Sequence, residues 1–282
     1  MDKKMKMSKI YAGVAGFLRR AAILSAVVAV SLSCGSRGAA QTADVKLELP
    51  EVVVTDSTRL VEYEAYTLMY NLKRLNPQWV AWELTGEETK GTVSRNGDST
   101  GAGKTGSYKF KVDTSLPFLQ ADNNDYRNSG WDRGHMAPAA DMKMTPRTMQ
   151  ESFMYVNACP QNHNLNAGVW KSLEERCRSL ANVYGKIWIA CGPIYNRCEF
   201  GTIGPHHVAV PDAFFRVMLI RTGGHYHGIG FICDNKAGKQ PLEYYVWTID
   251  EVEEMTGLNF FFALSPEEEA EAESTVELDL WF

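Results

Sequence analysis

Apolar positions recur along the chain with two different periods. Tyr66-Thr-Leu-Met-Tyr70 and Trp79-Val-Ala-Trp-Glu-Leu84 are short runs rich in aromatic and β-branched residues, so they predict strands, with Asn76-Pro77 as the turn between them. Lys186-Ile-Trp-Ile-Ala-Cys191 follows Gly185 and predicts a buried strand. Val208 to Ile220 and Tyr226 to Cys233 predict two more, joined by a hairpin turn at Thr222-Gly223-Gly224. Leu165, Val169, Leu173, Cys177 and Leu180 are spaced by three and four, the period of a helix running to Tyr184. Val246 to Met255 predicts a second helix, with Thr248 or Asp250 as its cap. No internal repeat and no Pro/Ser-rich linker interrupts residues 60–265, so the expected architecture is one mixed α+β domain.

Composition changes this picture only at the ends. Of 282 residues, 45% are hydrophobic and 22% charged, which argues against disorder and against a polytopic membrane protein. The net charge of −5 hides a division. Residues 1–34 carry six basic residues and one acid, and Asp250 to Phe282 carries eleven acids and no Lys or Arg. Residues 35–249 are left at +1, so whole-chain acidity does not exclude a polyanionic substrate.

Residues 1–34 read as an export signal: a basic start, then the apolar run Ala21 to Leu32, too short to span a bilayer. Ser33-Cys34-Gly35 at its end is similar to a bacterial lipoprotein signal, with Cys34 as the lipidated residue and a membrane anchor as the consequence. Ser31 departs from that pattern, which has an apolar residue three before the Cys. The expected division is signal 1–34, flexible tether 35–60, folded domain 61–265 and acidic C-terminal tail 266–282, on a chain exported to a bacterial cell envelope. Among the remaining cysteines, Cys191 and Cys198 are the easiest pair to bridge. The residues 91–107 contain five glycines and read as a loop.

Candidate chemistry gathers in two stretches. Asp132-Arg133-Gly134-His135 places an acid, a cation, a flexible residue and an imidazole in succession. A neutral imidazole is suited to taking a proton near neutral pH, an arginine to neutralising phosphate, and a glycine to close approach by a bulky substrate. His135 must be neutral to accept a proton, so activity is expected to be lost as pH falls below its pKa, within roughly pH 5 to 8 if that pKa is near the ordinary value of about 6.5. The second stretch is Asn157-Ala-Cys-Pro-Gln161, then Asn166 and Trp170-Lys-Ser-Leu-Glu-Glu175. Glu174 lies eight residues after Asn166, close to the same face of a helix, and an amide oxygen with a carboxylate suits a hard cation that keeps several waters. The His206-His207 and His225-x-His227 pairs bring no third ligand nearby in sequence and are not read as a zinc site.

Together these stretches closely resemble the DNA/RNA non-specific endonuclease family, the endonuclease G-like ββα-metal (His-Me finger) nucleases. The likeness continues through Gly185 to Pro193, Val210-Pro211 with Phe214-Phe215, and Asp250 to Gly257 with Phe260-Phe261. The resemblance implies a central, mainly antiparallel sheet flanked by helices and Mg²⁺-dependent hydrolysis of DNA and RNA with low sequence specificity, Mn²⁺ being an alternative metal. It implies His135 as general base, Asn166 as the direct metal ligand, and Glu174 holding a metal-bound water. Arg133 and Asn157 would support the site, Arg133 by neutralising phosphate, and Arg95 is the candidate for a second substrate-binding arginine. Asp132 is read as structural. Two other readings stay open: a non-catalytic nucleic-acid-binding envelope lipoprotein on a degenerate nuclease fold, and a structural envelope protein whose acidic tail docks a partner.

Overall fold

The computed structural model describes residues 46–97 and 107–282; Cys34, the export signal, the start of the tether and most of the glycine-rich loop lie outside the described residues. The strands in chain order are β1 Thr58–Glu62, β2 Thr67–Asn71, β3 Asn76–Thr85, β4 Asp132–His135, β5 Ala158–Gln161, β6 Lys186–Ile194, β7 Thr202–Ile203, β8 Val208–Ala209, β9 Ala213–Thr222, β10 His225–Asp234 and β11 Val246–Trp247. The helices are α1 Asn123–Tyr126, α2 Pro146–Ser152, α3 His163–Leu165, α4 Lys171–Tyr184, α5 Ile249–Thr256 and α6 Pro266–Ser274. Seven strands form one sheet in the order β1-β2-β3-β6-β9-β10-β11, with every neighbouring pair antiparallel. β4 and β5 form a separate antiparallel pair, and β7 with β8 another.

The nearly continuous apolar run in β9, broken only by Arg216 before Arg221, is explained by cover on both faces of the sheet. Phe214, Arg216 and Met218 point to the α4 side, where Phe214 meets Trp170 with ring centroids 5.5 Å apart and Met218 meets Cys177. Phe215 points the other way onto Phe260. On that opposite face Gly228 and Gly230 of β10 let helices come close: a Cβ would meet Ile249 and Ala272 at Gly228, and Val252 at Gly230. The β9–β10 turn is made by Gly223 and Gly224, both at positive φ, as a two-residue hairpin of the primed type needs. Thr248, not Asp250, caps α5, its side chain accepting from the Glu251 N–H.

Four expectations are corrected. Asn76-Pro77 is not a turn but the start of β3. The turn precedes it, ending at Leu75 with φ +54°, and Pro77 sits opposite Tyr70 beside a register shift, where a missing N–H is tolerated. The tether does not extend to residue 60, because Thr58 and Val61 are buried as β1 pairs with β2. Residues 266–282 are no free tail. Ser265 and Glu268 form a reciprocal capping box that starts α6, and Ala272 and Trp281 are buried. Finally, Cys191 and Cys198 are not bridged: Cys191 is buried in β6 and points its thiol at the Met136 carbonyl, whereas Cys198 is exposed on the following loop.

Candidate active site

The β4–β5 pair carries the first site residues because its register puts Arg133 opposite Pro160 and His135 opposite Ala158. Gly134 is required by Gln161, not by a substrate: a Cβ there would lie 2.2 Å from the Gln161 Oε1. This overturns the expectation that the glycine opens the backbone to a bulky ligand. Between β5 and α4 the chain makes the single turn α3, capped by the Asn162 side chain, and then a wide turn over Asn166–Trp170 with non-helical angles at Gly168. Wide turns of this kind re-aim side chains and often mark functional positions. Trp170 Nε1 donates to the His135 carbonyl at 3.2 Å, which ties the entry of α4 to the end of β4.

Arg95, Arg133, His135, Asn166 and Glu174 all line one open cleft of about 650 Å³. Lys143, Lys171 and Arg178 line it too, so five basic side chains face one acid. The local field is positive although the whole chain is acidic. A second cleft of about 670 Å³, near Thr55 and Leu258, has no Lys, Arg or His in its wall.

The His135 ring lies 4.6 Å from Phe110 and 4.9 Å, edge to face, from Phe153. Burial among these rings, helped by the charge of Arg95, pushes its pKa down to about 3. Its Nε2 is buried without a hydrogen-bond partner among the described residues. The imidazole is therefore neutral throughout the neutral range, which corrects the expectation of titration near pH 6.5.

Asp132 holds Asn166: its Oδ2 accepts from the Asn166 Nδ2 at 2.9 Å and also lies 2.9 Å from His163 Nδ1. With the NH₂ end so engaged, the amide oxygen of Asn166 is the end left to act as a ligand. Arg133 is held from three sides. Its Nη2 donates to Asn123 at 2.8 Å, its Nε to the Tyr155 hydroxyl at 3.2 Å, and the guanidinium lies over Tyr126. Asn157 does not line the cleft. It is fully buried, accepting from the Ala137 N–H and donating to the carbonyls of Ala137 and Ser152. It fixes the chain just after His135 instead of touching a ligand.

Glu174 is half-buried, and burial pushes its pKa up to about 7, with Arg216 as the leading opposing charge. Arg216, on β9, is fully buried 4.4 Å from the centroid of the Trp170 ring, and donates to the Met136 carbonyl. Arg178 pairs with buried Asp141 at 2.8 Å. An amide oxygen and a carboxylate in a cationic cleft form a hard-oxygen donor set, which fits Mg²⁺ or Mn²⁺ and does not fit a thiol-preferring metal.

Residues 47–267 match the family described as DNA/RNA non-specific endonuclease. The chain belongs to that family. Among relatives of this endonuclease family member, mitochondrial nuclease EXOG of Xenopus laevis is 32% identical over 219 residues, covering 72% of this chain and 58% of its own length. Mitochondrial endonuclease G of Homo sapiens is 30% identical over 226 residues, covering 76% of this chain and 73% of its own. This chain thus spans a little over half the length of the EXOG relative. A chain in a crystal structure of the EndoG/EndoGI complex superposes with a TM-score of 0.66 at 27% identity, covering 74% of this chain and 88% of that one.

Lys143, Lys171 and Arg178 in the cleft, and the clamp on Arg133 from Asn123 and Tyr155, are not among the residues expected from the sequence. Lys171 and Arg178 left a readable sign, since they lie three residues before and four residues after Glu174 on α4.

Proposed function

We propose that this chain is a metal-dependent endonuclease that hydrolyses phosphodiester bonds of DNA and RNA with little sequence preference. The observation that carries the proposal is the convergence of neutral His135, Asn166 and Glu174 on one basic cleft. The five basic side chains bind the polyanionic backbone, and contacts to phosphate carry little base information. Arg133, with its guanidinium fixed by Asn123 and Tyr155, orients and neutralises the reacting phosphate from one side, and Arg95 serves the same phosphate beside His135.

His135 accepts a proton from the attacking water on a ring nitrogen as the new P–O bond forms. The opposite P–O ester bond breaks, and the leaving oxygen takes a proton from solvent. Phe110 and Phe153 keep the imidazole neutral and limit water around it. The Asn166 amide oxygen would hold Mg²⁺ or Mn²⁺ directly, and Glu174 would hold one of its waters. When bound, that cation supplies Lewis acidity to the phosphate and leaving oxygens.

We extend the proposal to export and a lipid anchor on Cys34, which rest on the sequence of residues 1–34. Among the described residues no helix is long and apolar enough to cross a membrane. Incorporation of labelled palmitate that is lost in Cys34→Ser tests the anchor.

The activity is tested with supercoiled plasmid and with RNA. Cleavage of both in Mg²⁺ that stops in EDTA is the expected result. Folded protein that binds DNA but cleaves with neither Mg²⁺ nor Mn²⁺ would contradict the proposal and favour a non-catalytic binder.

A further inference from the structure

A cluster of carboxylates lies on the face of the sheet away from the cleft. Asp250 and Glu253 stand three residues apart on α5, and Glu273 comes from the last turn of α6. One carboxylate oxygen from each lies within 4.8 Å of the other two. Two ligands on opposite sides of a calcium ion are about 4.6–5.2 Å apart, from Ca–O bonds of about 2.3–2.6 Å, so this spacing accommodates one ion.

Acidic side chains cluster on many surfaces without binding anything, but Glu273 is different. It is 3% exposed, and its Oε1 is buried with no hydrogen-bond partner. A buried carboxylate oxygen without a donor is costly, and native proteins normally supply a partner. No ion pair among the described residues involves Asp250, Glu253 or Glu273. Burial pushes Glu273 up to about 9, with Glu253 and Glu269 adding to it, and burial likewise pushes Glu253 up to about 7. Asp250 is exposed, so the group opens to solvent on one side and can admit a hydrated ion.

We propose that Asp250, Glu253 and Glu273 bind a hard divalent cation of the calcium class, which clamps α6 onto α5 and is separate from the cleft. The three carboxylates supply oxygen ligands and water completes the shell, as calcium's six to eight positions allow. Glu273 lies beyond the residues matched by the endonuclease family, so the site depends on this chain's own C-terminal segment. The inference does not rest on the nuclease reading.

The test uses the full chain carrying Asn166→Ala and Glu174→Gln, which removes the oxygen ligands of the cleft. Calcium titration by calorimetry should show one ion per chain. At about a hundredfold excess over Kd, the thermal midpoint should rise by roughly 5 °C over its value in EDTA. Adding Glu273→Gln should abolish both the heat and the rise, and should lift the calcium-free midpoint because folding no longer has to protonate and bury a carboxylate that is ionised in the unfolded chain. Glu253→Gln serves as a second variant with the same expected loss. Absence of heat and of any calcium-dependent shift in the background protein would overturn the proposal. So would a shift that persists unchanged in Glu273→Gln and in Glu253→Gln.

Discussion

Asp132 accepts a hydrogen bond from the side chain of Asn166 at 2.9 Å, so the first residue of β4 sets the orientation of an amide that enters 34 positions later. Removing this carboxylate leaves Asn166 free to rotate. Outer partners of a metal ligand are worth roughly 10–100-fold in metal affinity. Asp132→Ala is therefore expected to raise the Mg²⁺ concentration needed for half-maximal cleavage by about that factor, with much of the maximal rate recovered at saturating metal. A metal-response curve that overlays the wild-type curve would show that this hydrogen bond has no part in metal binding.

The pH dependence follows from two shifts of opposite sign. His135 is pushed down to about 3, so its base form is present from acid pH upward and it sets no limb between pH 5 and 8. Glu174 is pushed up to about 7, so without metal it holds a proton below that pH and becomes a carboxylate above it. Metal that depends on the carboxylate must displace this proton. Apparent Mg²⁺ affinity should then fall by up to about tenfold per pH unit below 7, while the rate at saturating Mg²⁺ stays nearly flat. Glu174→Gln should remove the pH dependence of metal affinity. An acid limb near pH 6.5 that saturating metal leaves in place would return the titration to His135.

Much of this site is legible in the chain because its spacing is local. Asp132-Arg-Gly-His135 is one short strand, and Asn166 and Glu174 lie close together in sequence on either side of the start of one helix, although the wide turn at Gly168, not an unbroken helical face, brings them both to the cleft. The central strands are equally legible from apolar runs that are continuous apart from single residues such as Arg216, and the β9–β10 turn from two glycines. What is hidden depends on contacts between distant segments. The low pKa of His135 needs Phe110 and Phe153, which reach it from elsewhere in the chain. Asn157 stands within a motif like Asn166 does, but its amide is used by the backbone of Ala137 and Ser152, and residue type alone does not separate these roles. The acidic run after Pro266 reads as a solvated tail because its charges mask a helix start, Ser265-Pro-Glu-Glu268.

Arg216 lies beneath the cleft as a buried charge facing Glu174 and Asp141. Breaking a buried charge cluster by removing one partner typically costs about 3–5 kcal/mol, so Arg216→Met should lower stability to urea by that order. The loss of its positive field should also move the pH at which Glu174 ionises upward, and the metal-affinity limb with it. Arg216→Lys should keep more of both. A Met variant as stable as wild type, with an unmoved limb, would remove Arg216 from the account.

Lys143 and Lys171 line the cleft without touching the His135–Asn166 pair in any hydrogen bond among the described residues. Each is expected to bind the nucleic-acid backbone and not to take part in bond breaking. Lys171→Ala should raise KM with little change in kcat, and should flatten the dependence of binding on salt by about one unit of log–log slope. Fluorescence anisotropy with a labelled duplex across a salt series, in Ca²⁺ or EDTA to prevent cleavage, reads this directly. An unchanged slope for both lysine variants would place the substrate elsewhere.

His135 and Asn166 line the same cleft, where both would act on one phosphodiester. The most direct test of this joint action is the single-turnover rate of plasmid nicking in saturating Mg²⁺ by wild type, His135→Ala and Asn166→Ala, with folding checked by circular dichroism. Both variants should fold, with His135→Ala slowed by about 10²–10⁴-fold for the loss of the base and Asn166→Ala by a comparable factor that added metal does not restore. Either variant cleaving within a few-fold of the wild-type rate would contradict the joint action.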